Sequence, residues 1–210
     1  MSEEISGYVW KSAELNTSHA YLLPSLKEIL ASVALPQDQR RLFELGCGNG
    51  SVANELVRLG WNVAGVDPSE QGIAQANAKF PAIPLRLGSA YDDLTTQYGT
   101  FPVVVSLEVV EHVYAPRKYA ATLFSLLEPG GMAIISTPYH GYLKNLALAA
   151  SGKMDTHFTA LWDHGHIKFW SKKTLRTLLK EAGFRDIQFR RVGRVPALAK
   201  SMIAIARKPT

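Results

Sequence analysis

Five ionisable residues stand where a binding or catalytic site would need them. Glu44 precedes a glycine run, Gly46-Cys47-Gly48-Asn49-Gly50, and Asp67 follows 21 residues after Gly46. Glu108, Glu111 and His112 lie directly beyond the apolar run FPVVVSLEV. Glycines at that density let a backbone turn sharply and come close to a ligand. Their spacing is G-x-G-x-G followed by Ser51, so it misses the G-x-G-x-x-G dinucleotide pattern, and no Lys-Ser/Thr pair makes it a phosphate loop. A carboxylate at Asp67 suits the two hydroxyls of a ribose. Glu44 adds a second negative charge, which favours a ligand of cationic character over a phosphate anion. The pattern therefore describes a site for a nucleoside without pyrophosphate.

The Glu108, Glu111, His112 group admits three roles. His112 has the ordinary pKa of a general base for a substrate hydroxyl. Two acids and a histidine can ligate a divalent cation that orients oxygens. The three can also bond one another and stiffen the start of the next helix. The metal role is the least favoured, and no metal ligand is assigned.

These residues need elements to hold them. Residues 19–33 have helical spacing, with Leu22, Leu26, Ile29, Leu30 and Val33 on one side, and Pro36 ends the segment. Strands are expected at 41–45, 61–67, 83–87, 101–109, 132–138, 184–192 and 200–208. Helices are expected at 51–59, 69–80, 117–127, where EPGG stops the chain, and 171–182, where Ser171 caps the start and Gly183 lies past the end. Such alternation predicts an α/β domain, doubly wound and Rossmann-like. Its seven-stranded sheet is mostly parallel, with helices on both faces. The short GRVPALA connection makes the last strand antiparallel. The whole chain, 1–210, reads as one domain, with an N-terminal helical segment at 1–37 and an irregular insertion at 139–170.

The insertion follows the fifth strand and holds four of the six histidines: His140, His157, His164 and His166. Tyr139, Tyr142, Phe158, Trp162, Phe169 and Trp170 supply aromatic surface, as in a small-molecule pocket. A lid over the site is the expectation, with His140 the candidate base after His112. Lys168 and nearby cations suit a carboxylate or phosphate on the substrate.

Taken together, ELGCGNG, GVDPS and SLEVVEHV resemble the class I methyltransferases that use S-adenosylmethionine. More narrowly they are similar to the ubiquinone-biosynthesis O-methyltransferase branch, over roughly residues 38–138. The resemblance implies a cofactor site made by Glu44, Gly46, Cys47, Gly48, Gly50, Asp67, Pro68, Ser69, Ser89, Ala90, Leu107 and Glu108. Asp67 would hold the ribose hydroxyls, Pro68 and Ser69 would flank the adenine, and Ser89 stands where many relatives carry an Asp. Glu108 and Leu107 would border the transferred methyl, making Glu108 a third catalytic candidate beside His112 and His140. Cys47 would be an inert spacer. Some relatives with a similar E-x-x-E-H stretch are thought to bind a metal there. In related enzymes the N-terminal segment, here with Tyr8, Trp10, His19 and Tyr21, often folds over the cofactor.

The composition agrees with a soluble globular chain: 47% hydrophobic and 20% charged residues, with one cysteine. A disulfide within the chain is therefore excluded, acids precede any apolar stretch at the N-terminus, and no run approaches the length of a membrane span, so the cytoplasm is expected. The net charge of +5 hides an asymmetry, because residues 168–208 carry twelve Lys and Arg against Glu181 and Asp186. No aromatic ladder accompanies those cations, so a nucleic-acid partner is not expected. The expected function is methyl transfer to a small molecule, at oxygen. Its rivals are methylation of RNA or protein, and a cofactor-binding regulatory subunit without turnover.

Overall fold

The computed structural model describes residues 10, 12–163 and 165–210; Tyr8 and His164 lie outside the described residues. The strands are β1 (Arg41–Leu45), β2 (Asn62–Asp67), β3 (Leu85–Leu87), β4 (Phe101–Leu107), β5 (Leu127–Pro138), β6 (Arg185–Val192) and β7 (Ser201–Arg207). The helices are α1 (His19–Ala31), α2 (Ser51–Arg58), α3 (Glu70–Lys79), α4 (Leu94–Tyr98), α5 (Pro116–Ser125), α6 (Tyr142–Ala150), α7 (Met154–Phe158) and α8 (Lys172–Glu181). One seven-stranded sheet runs in the order β3-β2-β1-β4-β5-β7-β6. The first five strands pair parallel, and β7 is antiparallel to both β5 and β6.

Side chains alternate across the central strands, so each strand feeds two cores. Leu42, Val103, Val105 and Ile134 pack beneath Leu22, Leu26, Val52 and Leu56 on the α1–α2–α3 face. Phe43, Val104, Ala133 and Ile135 pack against Tyr119, Leu123, Leu175 and Leu179 of α5 and α8. Burial on both faces explains why β4 reads as a continuous apolar run. The N-terminal helix packs on the sheet, and its start turns toward the carboxyl ends of the strands.

Three boundaries depart from expectation. The fourth strand ends at Leu107 because Glu108 has φ +54°, which no strand accommodates. The helix expected to reach Leu127 stops at Ser125, since Leu127 already pairs with Phe101 and β5 runs on through EPGG. Gly130, at φ +77°, absorbs the irregularity there. The segment 139–170, read as irregular, contains α6 and α7. Its LALAA run carries helix-forming residues whose apolar side chains stay partly outside, so periodicity alone did not mark it.

The strand order reverses between β1 and β4. In an open α/β sheet that point leaves a crevice beyond the carboxyl ends of the strands. The glycine run follows β1 and Glu108 follows β4, so both chemical motifs reach the same place.

Candidate active site

A cleft of about 920 Å³ opens there. Glu44, Gly46, Cys47, Asp67, Pro68, Ser89, Ala90, Leu107, Glu108, His112 and His140 all line it. Gly48, Gly50 and Ser69 do not; they shape the wall from behind. Gly50, at φ +74°, starts α2, and Ser69 is fully buried with its hydroxyl accepting from the Gly72 N–H at 3.0 Å as the cap of α3.

Asp67 holds the loop. One carboxylate oxygen accepts from the Gly48 N–H at 2.8 Å and the other from the Ser69 N–H at 2.9 Å. The Gly46 and Cys47 N–H groups both reach the Val66 carbonyl, at 2.8 and 3.0 Å. Glycine is required at position 48 for two reasons. Its φ is +50°, and a Cβ would run into the Trp10 indole. The Trp10 chain segment is tied down in turn, by the Gln71 side chain at its N–H, by Gln75 at its carbonyl, and by Asn49 at the Ser12 and Glu14 carbonyls. Trp10, His19 and Tyr21 all line the cleft. Asn49, which anchors this strap, escaped the sequence reading; only its position inside the glycine run marked it.

Glu44 is 2% exposed, and its Oε2 has no hydrogen-bond partner among the described residues. Burial, and then the nearby Asp67 charge, hold its carboxyl well above the usual carboxylate range. An orphaned buried carboxylate oxygen on a residue that lines a cleft calls for a donor from a ligand. A cationic nucleoside with an ammonium group supplies one, so these residues fit S-adenosylmethionine. Glu44 and the glycine loop would receive its methionine portion, and Asp67 its ribose. The Ser89 hydroxyl accepts from the Tyr91 N–H at 3.2 Å and donates no hydrogen bond among the described residues.

The E-x-x-E-H residues separate into two corners. Glu108 accepts from Ser136 Oγ at 2.7 Å and Ser201 Oγ at 3.2 Å, and its N–H donates to Ser136 Oγ at 2.9 Å. Burial raises its carboxyl to about 7. Ser201 Oγ in turn lies 3.3 Å from the Tyr21 hydroxyl. Glu111 is buried on the other side, with His166 Nε2 4.0 Å from its Oε1. Burial and the Glu108 charge push its carboxyl well up. Ligand atoms of Glu111, His112 and His166 fall within 4.8 Å of one another, so a cation here would use His166 rather than Glu108.

The 139–170 segment forms the remaining wall. Its backbone is fastened to the E-x-x-E-H turn, with the Ile167 and Lys168 N–H groups on the Glu111 carbonyl and Trp170 Nε1 on the Val110 carbonyl. His140 stacks on Phe158, at 5.7 Å between centroids, and meets Phe169 edge-on. Burial, then the nearby Lys144 charge, lowers His140 to about 4, so its imidazole is neutral at pH 7. His112 and His166 pack with Trp162. Lys168 is not on the cleft wall; its ammonium lies over the Tyr114 ring. The cations that do line the wall are Lys144, Arg194 and Lys200, which the sequence did not single out.

A family model described as a methyltransferase domain matches residues 18–188. The chain belongs to the methyltransferase-domain family. Its class is the one that takes its methyl group from S-adenosylmethionine. The chain is 39% identical over 121 residues to a ubiquinone biosynthesis O-methyltransferase of Caulobacter sp. (strain K31), covering 56% of this chain and 48% of that one. It is 31% identical over 163 residues to the protein of the same name in Cereibacter sphaeroides (strain ATCC 17025 / ATH 2.4.3), covering 74% and 64%. The chain thus spans about half to two thirds of the length of these relatives. A solved S-adenosylmethionine-dependent methyltransferase from Archaeoglobus fulgidus shares the fold at TM-score 0.68 and 18% identity, covering 88% of this chain and 92% of that chain.

Proposed function

We propose that this methyltransferase domain transfers the methyl group of S-adenosylmethionine to a hydroxyl of a small molecule. The observation that carries the reading is the buried Glu44 carboxylate oxygen without a hydrogen-bond partner among the described residues, on a residue that lines the same cleft as Asp67 and Gly46. The similarity to O-methyltransferases of ubiquinone biosynthesis supports oxygen as the acceptor atom.

The cofactor supplies an activated methyl group on a sulfonium, so the protein's work is chiefly alignment and exclusion of water. Glu44 and Asp67 orient the donor at the β1–β2 side. Leu107 and Glu108 border the point where acceptor and methyl meet. Glu108 takes the acceptor's hydroxyl proton: it is half-buried on the cleft wall, and its carboxyl at about 7 matches a base working near neutral pH. The Ser136 and Ser201 hydroxyls fix its orientation. Neutral His140, with Phe158 and Phe169, gives the acceptor an aromatic wall.

A labelled-methyl assay over a panel of hydroxylated aromatics tests this reading, with calorimetric titration of the cofactor beside it. Micromolar cofactor binding, silence with NADH, and label on oxygen are the expected results. A protein that binds no S-adenosylmethionine would overturn it. The grouping of Glu111, His112 and His166 favours a second reading of the acceptor corner, with a divalent cation orienting substrate oxygens. Turnover unchanged by a chelator would remove that reading.

A further inference from the structure

The cleft is electrically two-ended. Glu44 and Asp67 make the cofactor end acidic, while Lys144 and Arg194 stand at the far end, with Lys200 beside them. These cations come from two elements brought together by the fold. Lys144 lies on α6, and Arg194 and Lys200 bracket the connection from β6 to β7, on which α6 packs. Lys144 Nζ reaches the Lys200 carbonyl at 3.4 Å, and the Lys200 ammonium sits over the Tyr21 ring at 5.2 Å.

Among the described residues, neither Lys144 nor Arg194 has a carboxylate within ion-pair distance. Glu108 is the acid near Lys144, but its two oxygens already accept from Ser136 and Ser201. Burial is the main reason the Lys144 ammonium titrates below its ordinary range, and the neighbouring Arg194 charge adds to it. A half-buried ammonium beside a guanidinium, with no acid bridging them, is a pair in want of an anion. His140, Phe158 and Phe169, packed on one another, line the same cleft.

We propose that the methyl acceptor is a planar, aromatic molecule bearing an oxyanion, a carboxylate or phosphate, seated between Lys144 and Arg194. The proposal rests on the methyltransferase reading of the same cleft and adds the acceptor's charge and orientation. With the anion on this pair, a hydroxyl elsewhere on the ring is presented to Glu108, the acid near Lys144. A cationic donor and an anionic acceptor each meet the matching end of the cleft.

The test is calorimetric titration of the full chain with benzoate, phenyl phosphate and phenol, with and without saturating S-adenosylhomocysteine. Both anions are expected to bind at least about ten-fold more tightly than phenol, the preference being lost in high salt. The tighter of the two tells whether a carboxylate or a phosphate is the natural group. Lys144→Met and Arg194→Met should each weaken anion binding about ten-fold and leave S-adenosylhomocysteine affinity as it was. Arg194 is exposed on a loop, so its substitution keeps the test valid if Lys144→Met fails to fold. Equal binding of phenol and benzoate, anion binding that ignores both substitutions, or no anion binding at all would overturn the proposal. Failure of S-adenosylhomocysteine to bind would instead strike the methyltransferase reading, which the anion titration without it leaves distinguishable.

Discussion

Asp67 Oδ2 accepts a hydrogen bond from the Gly48 N–H at 2.8 Å, joining the end of β2 to the loop that leaves β1. The carboxylate that would hold a ribose therefore also sets the shape of the glycine loop. Asp67→Ala should remove both functions at once. Hydrogen bonds to a charged group contribute about 1.5–3 kcal/mol each, so cofactor affinity should fall by about ten- to hundred-fold or more. Asp67→Asn, which keeps one acceptor, should fall between Ala and the parent. Calorimetric titration with S-adenosylmethionine measures all three, and equal affinity for Ala and parent would refute the assignment.

Glu44 should make cofactor binding pH-dependent. Its carboxyl titrates well above the usual range in the free protein, because of burial and then Asp67. An ammonium favours the ionised form. Binding should therefore release a proton wherever Glu44 is protonated beforehand, and affinity should rise with pH until Glu44 is ionised without help. Titrations in buffers of different ionisation enthalpy will show the released proton. Glu44→Gln should abolish the release and flatten the pH dependence.

Glu108 gives a prediction with opposite signs for activity and stability. Its folded carboxyl titrates at about 7, above the unfolded value of about 4.3. Folded-state proton uptake therefore stabilises fully below the unfolded value and is lost as pH rises through 7. Glu108→Gln should leave the melting temperature near that of the parent at pH 4 and raise it at pH 8, where the parent buries a charge. Methyl transfer should run the other way, falling below pH 7 in the parent and by about a hundred-fold or more at all pH values in the variant. A variant that keeps parental turnover would remove Glu108 from the proton-accepting role.

The contact of Gly48 with Trp10 predicts a paired effect. Gly48→Ala places a methyl group against the indole and costs about 1–2 kcal/mol for the left-handed backbone. It should lower the melting temperature and weaken the cofactor. Trp10→Ala in the same chain should relieve the collision and recover part of the loss, although alone it weakens binding by uncovering the loop. Simple additivity of the two substitutions would show that the strap does not bear on the loop.

How much of this was legible beforehand follows from where each signal resides. The strand at 41–45, the fourth strand apart from its end, the turn at Gly46–Gly50, the cap at Ser69 and the cap at Ser171 are local. Burial on two faces, positive φ and a hydroxyl at a helix start each leave a mark within a few residues. Asp67 could be placed as well, because strand–helix–strand geometry fixes the distance from the glycines to the end of the next strand. The short α4 and the helices α6 and α7 were not legible. They have five to nine residues each, too few for a period to stand out.

The sequence by itself thus determined the sheet, the glycine loop and the acidic end of the cleft, since these depend on residues adjacent in the chain or separated by one regular crossover. Only the tertiary structure decided that Trp10 lies on Gly48, that His166 rather than Glu108 groups with Glu111 and His112, and that Lys144 meets Arg194 instead of Lys168 reaching the cleft. Those pairings join segments through irregular chain, whose length sets no direction. Their positions follow from which surfaces pack and which backbone groups find partners, and neither is written in the spacing of residues.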